Sequence, residues 1–300
     1  MKAIHLLLAG LATTFMPGPI KASPFGEEYK IVGGREAKEG AYGWEVSLGI
    51  LTNVPTSKKQ REIQPESSKL GTHFCGGVLI HKDWVVTAAH CLAPFQGKTF
   101  TSSPYGAGVG QRSLVEIFDN GRIPAVEGHI PADYDPKSST STHDVALFKL
   151  SKSVTNVTPA CLAKSDPKDG YGNGLKAIGW GSTTRMVLNT TTDQWSGFTP
   201  AKRLKEADMK DLTSSAASCK NRSDLVCIGP VTDGDASCKG DSGGSLVNSD
   251  GLVVGFTSFG GSKRISNTQY QTCNGDTAYT RASGTIAWIE KVINGTICKK

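Results

Sequence analysis

Residues 237–247 read SCKGDSGGSLV, which sets Ser242 between Asp241 and Gly243-Gly244, two residues past Gly240 and four past Cys238. A hydroxyl, a carboxylate and this much bare backbone allow two readings. Gly, Asp and Ser dominate polar surface turns. The same residues also suit a nucleophilic elbow, where glycines let the main chain approach a substrate carbonyl. The stretch alone does not choose between them. Three other segments carry residue types of related chemistry: KIVGG at 30–34, VVTAAHC at 85–91 with His90, and HDVALFKL at 143–150 with Asp144. A serine hydroxyl is a poor nucleophile near neutral pH and needs a base that takes and returns a proton, which histidine can do.

The elements that must position these residues read mostly as strands. GWEVSLGI (43–50), GGVLIHKDWVVTAA (76–89), DVALFKL (144–150), LKAIGWG (175–181) and DGLVVGFTSFG (250–260) are short apolar or alternating runs broken by turn residues. Strands so spaced suggest barrels or sandwiches, and the 35 glycines favour a turn-rich, all-β chain. One good helical pattern stands at the C-terminus, with Ser283 as cap, Ile286, Ile289 and Ile293 on one face, and Gly295 as its end. Residues 51–70, with three Lys, two Glu and two Pro, read as a solvated loop. No obvious internal repeat is present, and the apolar rhythm lapses near 155–165.

Composition bounds the function. The 300 residues allow one large domain or two small ones, and 38% hydrophobic with 20% charged residues is ordinary for a globular protein. A net charge of +6 without any long Lys/Arg run argues against nucleic-acid and anionic-membrane partners. Met1-Lys2 followed by the apolar run Leu6 to Phe15 is too short to span a bilayer and reads as a secretory signal cut near Ala22. Eight cysteines, an even number with no CxxC spacing, fit structural disulfides in an exported protein better than a zinc site. Sequons at Asn156, Asn189, Asn221 and Asn294 suit a secreted glycoprotein.

In chain order, KIVGG, VVTAAHC, HDVALFKL and GDSGG resemble the chymotrypsin/trypsin family of serine endopeptidases, from Ile31 to the terminal helix. The resemblance implies an all-β fold: two packed six-stranded antiparallel β-barrels with a C-terminal helix. It divides the chain into a signal peptide (1–22), an activation pro-segment (23–30) and a protease domain (31–300). Within that domain, barrel one covers about 31–155, barrel two about 156–282 and the terminal helix about 283–295. It makes Ser242 the nucleophile, His90 the general base and acid, and Asp144 the residue that orients His90. The N–H groups of Gly240 and Ser242 would form the oxyanion hole. Cleavage of Lys30–Ile31 would free an α-amino group to pair with Asp241. Asp144 suits the orienting role because an apolar strand follows it, whereas His143 reads as an exposed neighbour, and His73, His81 and His129 as structural.

Family spacing pairs Cys75 with Cys91, Cys219 with Cys227 and Cys238 with Cys273, which leaves Cys161 and Cys298 to each other. The pocket for the residue before the scissile bond would have Ala236 at its floor, where trypsins carry Asp. Ser258, Phe259 and Gly260 would form its walls, with SFG in place of SWG. Thr277 stands where trypsins carry glycine, as in elastases, and narrows it. Small or medium uncharged residues are therefore expected before the cleaved bond, unless Asp235 or Asp276 turns inward. Ser245 replaces a common proline. The implied protein is a secreted, monomeric serine endopeptidase made as a zymogen. It acts on protein or peptide substrates, requires an activating protease that cuts after Lys30, and needs no cofactor or metal. The alternative is a catalytically silent homologue that binds another protein as an inhibitor or decoy, since fold alone does not establish activity.

Overall fold

The apolar runs 78–80 (VLI), 84–86 (WVV) and 146–148 (ALF) do not alternate with polar residues, because their strands are buried on both faces. Leu79, Val85 and Phe148 fill the inside of one barrel. Their neighbours Val78, Ile80, Val86 and Leu147 join Ile178, Trp180, Val247, Phe256 and Ile289 in a second cluster between barrels and helix.

The computed structural model describes residues 32–92, 104–135, 142–232 and 234–300. The expected signal peptide and pro-segment, with Lys30 and Ile31, lie outside these described residues. After β1 (Arg35–Glu36) come β2 (Glu45–Ile50), β3 (His73–His81), β4 (Trp84–Thr87), β5 (Tyr105–Val109), β6 (Ile123–His129) and β7 (Ala146–Leu150). Strands β2 to β7 close a barrel in the order β2-β3-β4-β7-β6-β5. The rest are β8 (Leu175–Gly179), β9 (Val187–Asn189), β10 (Gln194–Ser196), β11 (Lys205–Asp211), β12 (Leu225–Pro230), β13 (Ser245–Val247), β14 (Val253–Ser266) and β15 (Gln269–Arg281). Antiparallel pairing runs β8-β13-β14-β15-β12-β11 and returns to β8, which closes a second six-stranded barrel. Leu175, Ala177, Met209, Val226, Leu246 and Tyr279 are part of its core. The expected pair of six-stranded antiparallel barrels is therefore present. Strand β1 precedes the first barrel in sequence yet pairs with β11 of the second.

Helices differ more from expectation. Within the stretch expected as a solvated loop stand α1 (Lys58–Glu62), with Ser57 as its cap, and α2 (Glu66–Leu70). Lys58, Lys59, Glu62 and Glu66 are exposed, as expected, but Lys69 and Arg61 are taken up by partners. Lys69 Nζ reaches Asp119 Oδ1 at 2.7 Å and the Glu62 carbonyl at 3.0 Å, and Arg61 donates to the Asp119 carbonyl. Asp119 belongs to α4 (Leu114–Asn120), which follows α3 (Ala89–Leu92) and buries Leu114, Ile117 and Phe118 at helical spacing. The terminal helix α5 (Ala282–Ile293) buries Ile286 and Ile289 as expected, but its ends differ. Ser283 lies inside it, Arg281 precedes it without a side-chain cap, and Asn294 rather than Gly295 ends it at φ 48°.

The strand read as ending at Gly260 continues to Ser266. Beyond the barrel, β14 and β15 form a projecting hairpin, and β15 recruits the hairpin of β9 and β10. The order β14-β15-β9-β10 makes a four-stranded wing beside the mouth of the pocket described next.

Candidate active site

His90 lies on α3, at the end of β4, and Asp144 lies just before β7, the strand paired with β4. That pairing brings the two together. Asp144 Oδ1 accepts the His90 backbone N–H at 3.0 Å, and Oδ2 lies 2.8 Å from His90 Nδ1. Ser258 Oγ donates to Oδ2 at 2.6 Å, and Thr280 Oγ1 donates to the Asp144 carbonyl at 2.9 Å. Burial pushes the Asp144 carboxyl up, but its bonds to His90 and Ser258 outweigh that and hold it below the usual carboxylate range. An ionised carboxylate at Nδ1 fixes the tautomer with Nε2 free to accept a proton.

Ser242 packs through its main chain against the first barrel. Its carbonyl accepts Gly76 N at 2.8 Å and lies 3.7 Å from Cys91 Sγ. The amides around it are oriented by their neighbours. The Lys239 carbonyl accepts from Ser182 N, and the Asp241 carbonyl from Gly244 N, each at 2.8 Å. Peptide planes are trans, so the N–H on the far side of each plane points the opposite way. Those two N–H groups belong to Gly240 and Ser242, and neither donates to another described atom. Gly240 itself adopts φ +99°, which favours glycine.

Two polar groups behind this turn were not legible as part of the site. His73, read as structural, spans Ser47 Oγ on Nδ1 (2.8 Å) and the Gly240 carbonyl on Nε2 (3.1 Å). Burial, then the Arg122 charge, holds it at about 3, so it is neutral, with Nε2–H donating to Gly240. Glu45 is buried with both oxygens on Ser245: Oε2 lies 2.6 Å from Oγ and Oε1 accepts N–H at 3.1 Å. The hydroxyl that replaces a common proline is thus the partner of a buried acid. Burial pushes Glu45 up to about 8 despite these bonds. The signal available was an acidic residue in an otherwise apolar strand run.

Asp241 points away from the cleft. Its carboxylate accepts Gly181 N at 2.7 Å and Cys238 N at 2.8 Å, and a side chain at Gly179 or Gly181 would collide with it. Burial pushes it up to about 7, against the pull of those two amides. Val32 lies nearby through its carbonyl, which accepts Ala236 N at 2.9 Å.

Next to Ser242 a cavity of about 240 Å³ is lined by residues including Ser237, Ser258, Phe259, Gly260, Thr272 and Thr277. Thr277 faces Gly260 across β14 and β15 and is buried. Ala236 is buried with Met186, Cys238 and Cys273 and does not itself line the cavity. Among the described residues no carboxylate lines it either. Asp235 accepts Gly34 N at 2.9 Å, and the Asp276 carboxylate faces Gly229. Trp195 and Lys239, not singled out from sequence, add to the wall, with Lys239 Nζ 5.2 Å from the Trp195 ring centre. Trp195 arrives from β10 only because the wing folds back.

Elsewhere, the structure pairs Cys75–Cys91, Cys161–Cys298, Cys219–Cys227 and Cys238–Cys273. Cys75, His90 and Cys91 cluster, but the disulfide removes both thiolates as metal ligands. His143 pairs with Asp133 at 2.7 Å, His129 with Glu127 at 2.7 Å, and His81 lies 3.7 Å from Asp83. Asn156, Asn221 and Asn294 are exposed, and Asn189 is half-buried at the end of β9. Among the described residues no helix is long and apolar enough to cross a membrane.

A family model described as Trypsin matches residues 31–289. Human heparin binding protein is 24% identical, with 88% of this chain and 96% of that chain covered and a TM-score of 0.61. Neuropsin, a serine protease expressed in the limbic system of mouse brain, is 24% identical, with 87% and 98% covered and a TM-score of 0.59. At that identity the two structures are similar in fold.

Proposed function

The chain belongs to the trypsin family, and from that premise we propose that it is a secreted serine endopeptidase, made as a zymogen and cleaved after Lys30. The observation that carries this reading is the Asp144 carboxylate, which grips His90 at both its amide and Nδ1. In the proposed reaction Ser242 Oγ attacks the scissile carbonyl while His90 Nε2 takes its proton. Asp144 stabilises the imidazolium and stays ionised. The carbonyl oxygen gains its charge where Gly240 and Ser242 aim uncommitted N–H groups. Losing one such donor costs roughly 10²–10³ in turnover. His90 then protonates the leaving amine, and water, activated by the same base, hydrolyses the acyl-enzyme.

The activation reading is supported by Asp241, a buried carboxyl with no cation beside it among the described residues. The α-ammonium of Ile31, freed by a protease that cuts after Lys30, would supply the missing charge. A cavity that no carboxylate lines among the described residues, together with Thr277, supports a preference for small or medium uncharged residues before the scissile bond, because a Lys or Arg there would be buried unpaired. Four disulfides suit an oxidising, extracellular setting, and the substrates are proteins or peptides.

The test is labelling of the processed protein by a fluorophosphonate. Wild type should label at Ser242 and Ser242→Ala should not, with the fold of both intact by circular dichroism. A well-folded, processed wild-type protein that fails to label would leave the alternative, a silent protein-binding homologue. Fold likeness does not choose between these, since one similar structure is a heparin binding protein and the other a serine protease.

A further inference from the structure

The wing presents two faces, and strand register decides what each carries. Trp195 pairs with Leu188, Leu188 with Tyr270, and Tyr270 with Arg264. Directly opposed residues in an antiparallel ladder point to one side, so these four form a single row across β10, β9, β15 and β14. At about 4.8 Å between strands the row spans about 14 Å, the length of about four residues of extended chain. Thr272, two residues from Tyr270, shares the face and lines the cavity beside Ser242, as does Trp195. The row therefore continues the pocket wall outward. The opposite face carries Lys263, Gln271, Val187 and Ser196, together with Asn189. A sugar on the Asn189 sequon would cover that side and leave the first one open.

The open face has a definite chemistry. Trp195 is 42% exposed, Leu188 and Tyr270 are half-buried, and Arg264 is exposed at the far end. Arg264 donates to the carbonyls of Ser266 and Asn267, and Lys239 sits over the Trp195 ring. Neither cation has a carboxylate partner among the described residues. An apolar strip with a cation at each end suits a peptide that has apolar side chains between or beside acidic ones. A polyanion would leave the strip unused.

We propose that this face is a second docking surface for the substrate polypeptide. It receives a segment that lays an apolar side chain on Trp195, Leu188 and Tyr270 and sets carboxylates against Lys239 and Arg264. The proposal rests on the protease reading, and it adds a preference for substrates with an apolar–acidic segment close to the cleaved bond.

The test uses three peptides with the same Leu before the bond. One is short, one carries a Leu-Phe-Glu-Glu extension on either side of the bond, and one has the same extension with Lys for Glu. With processed wild type the acidic extension should lower KM about tenfold, about 1.4 kcal/mol, with kcat unchanged. Arg264→Glu and Leu188→Gln should each lose several-fold of that gain and leave the short peptide unaffected. Arg264→Glu should prefer the Lys-bearing extension. Equal KM for short and acidic peptides would overturn the proposal. So would binding of a sulfated polysaccharide that Arg264→Glu abolishes while the acidic peptide gains nothing. Titration of Ser242→Ala with the acidic peptide separates the two readings. Binding there that Arg264→Glu weakens supports the docking surface even if no peptide is hydrolysed, and absence of binding overturns it.

Discussion

Glu45→Gln should stabilise the uncut protein at neutral pH, by an amount that depends on pH in a defined way. Glu45 is buried, and among the described residues its two oxygens accept hydrogen bonds from the N–H and hydroxyl of Ser245 alone. A glutamine keeps both contacts: its oxygen accepts the amide and its NH₂ donates to Oγ. What it removes is the cost of keeping a proton that the unfolded chain would release. Burial raises the carboxyl from 4.5 to about 8, so below pH 4.5 both states are protonated and nothing is lost. Between 4.5 and 8 the unfolded chain ionises while the folded one does not, and stability falls by about 1.4 kcal/mol per pH unit. The difference between variant and parent should thus be near zero at pH 4, about 3 kcal/mol at pH 7, and level off near 5 kcal/mol above pH 8. Asp241 also has a raised pKa, and its charge adds to the rise at Glu45, so the same comparison in an Asp241→Asn background separates the two carboxyls. Urea unfolding across this range, in a Ser242→Ala background that prevents self-digestion, reads the difference directly. A difference that stays flat with pH would refute the reasoning.

Other perturbations address the cleft. Thr277→Gly should enlarge the cavity and raise the ratio of kcat/KM for Phe over Ala before the bond by roughly tenfold, and an unchanged ratio would count against Thr277 as the narrowing residue. Ser258→Ala removes the 2.6 Å donor to Asp144 Oδ2 and should lower kcat roughly tenfold with little change in KM, as expected for a charge-assisted bond that steadies His90. Lys30→Gln should leave the chain uncut and nearly inactive by N-terminal sequencing and turnover. Full activity with residue 30 attached would remove the Ile31–Asp241 pair from the mechanism.

Much of the site was legible because its chemistry is carried by residue types in short motifs. His90 stands in TAAHC, Asp144 at the start of an apolar strand and Ser242 in GDSGG, and short apolar runs with abundant glycine imply β-structure from local periodicity alone. The number of strands and their closure into two barrels came with the family resemblance. Side-chain direction was not legible. Asp235 is one position from Ala236, and only the approach of Gly34, 201 residues away, turns its carboxylate out of the cavity. Glu45 and Ser245, 200 residues apart, look like two unrelated departures until barrel packing makes them partners. The wing was missed for the same reason. Its strands are short or partly exposed and mix polar with apolar residues, so they lack the apolar rhythm that marks a buried strand. Their pairing depends on main-chain bonds between β9 and β15, which any residue except proline can donate. Local composition determined which chemistry was available to this chain, and long-range packing decided which carboxylates face water, which are sealed in, and which aromatic ring stands at the mouth of the pocket.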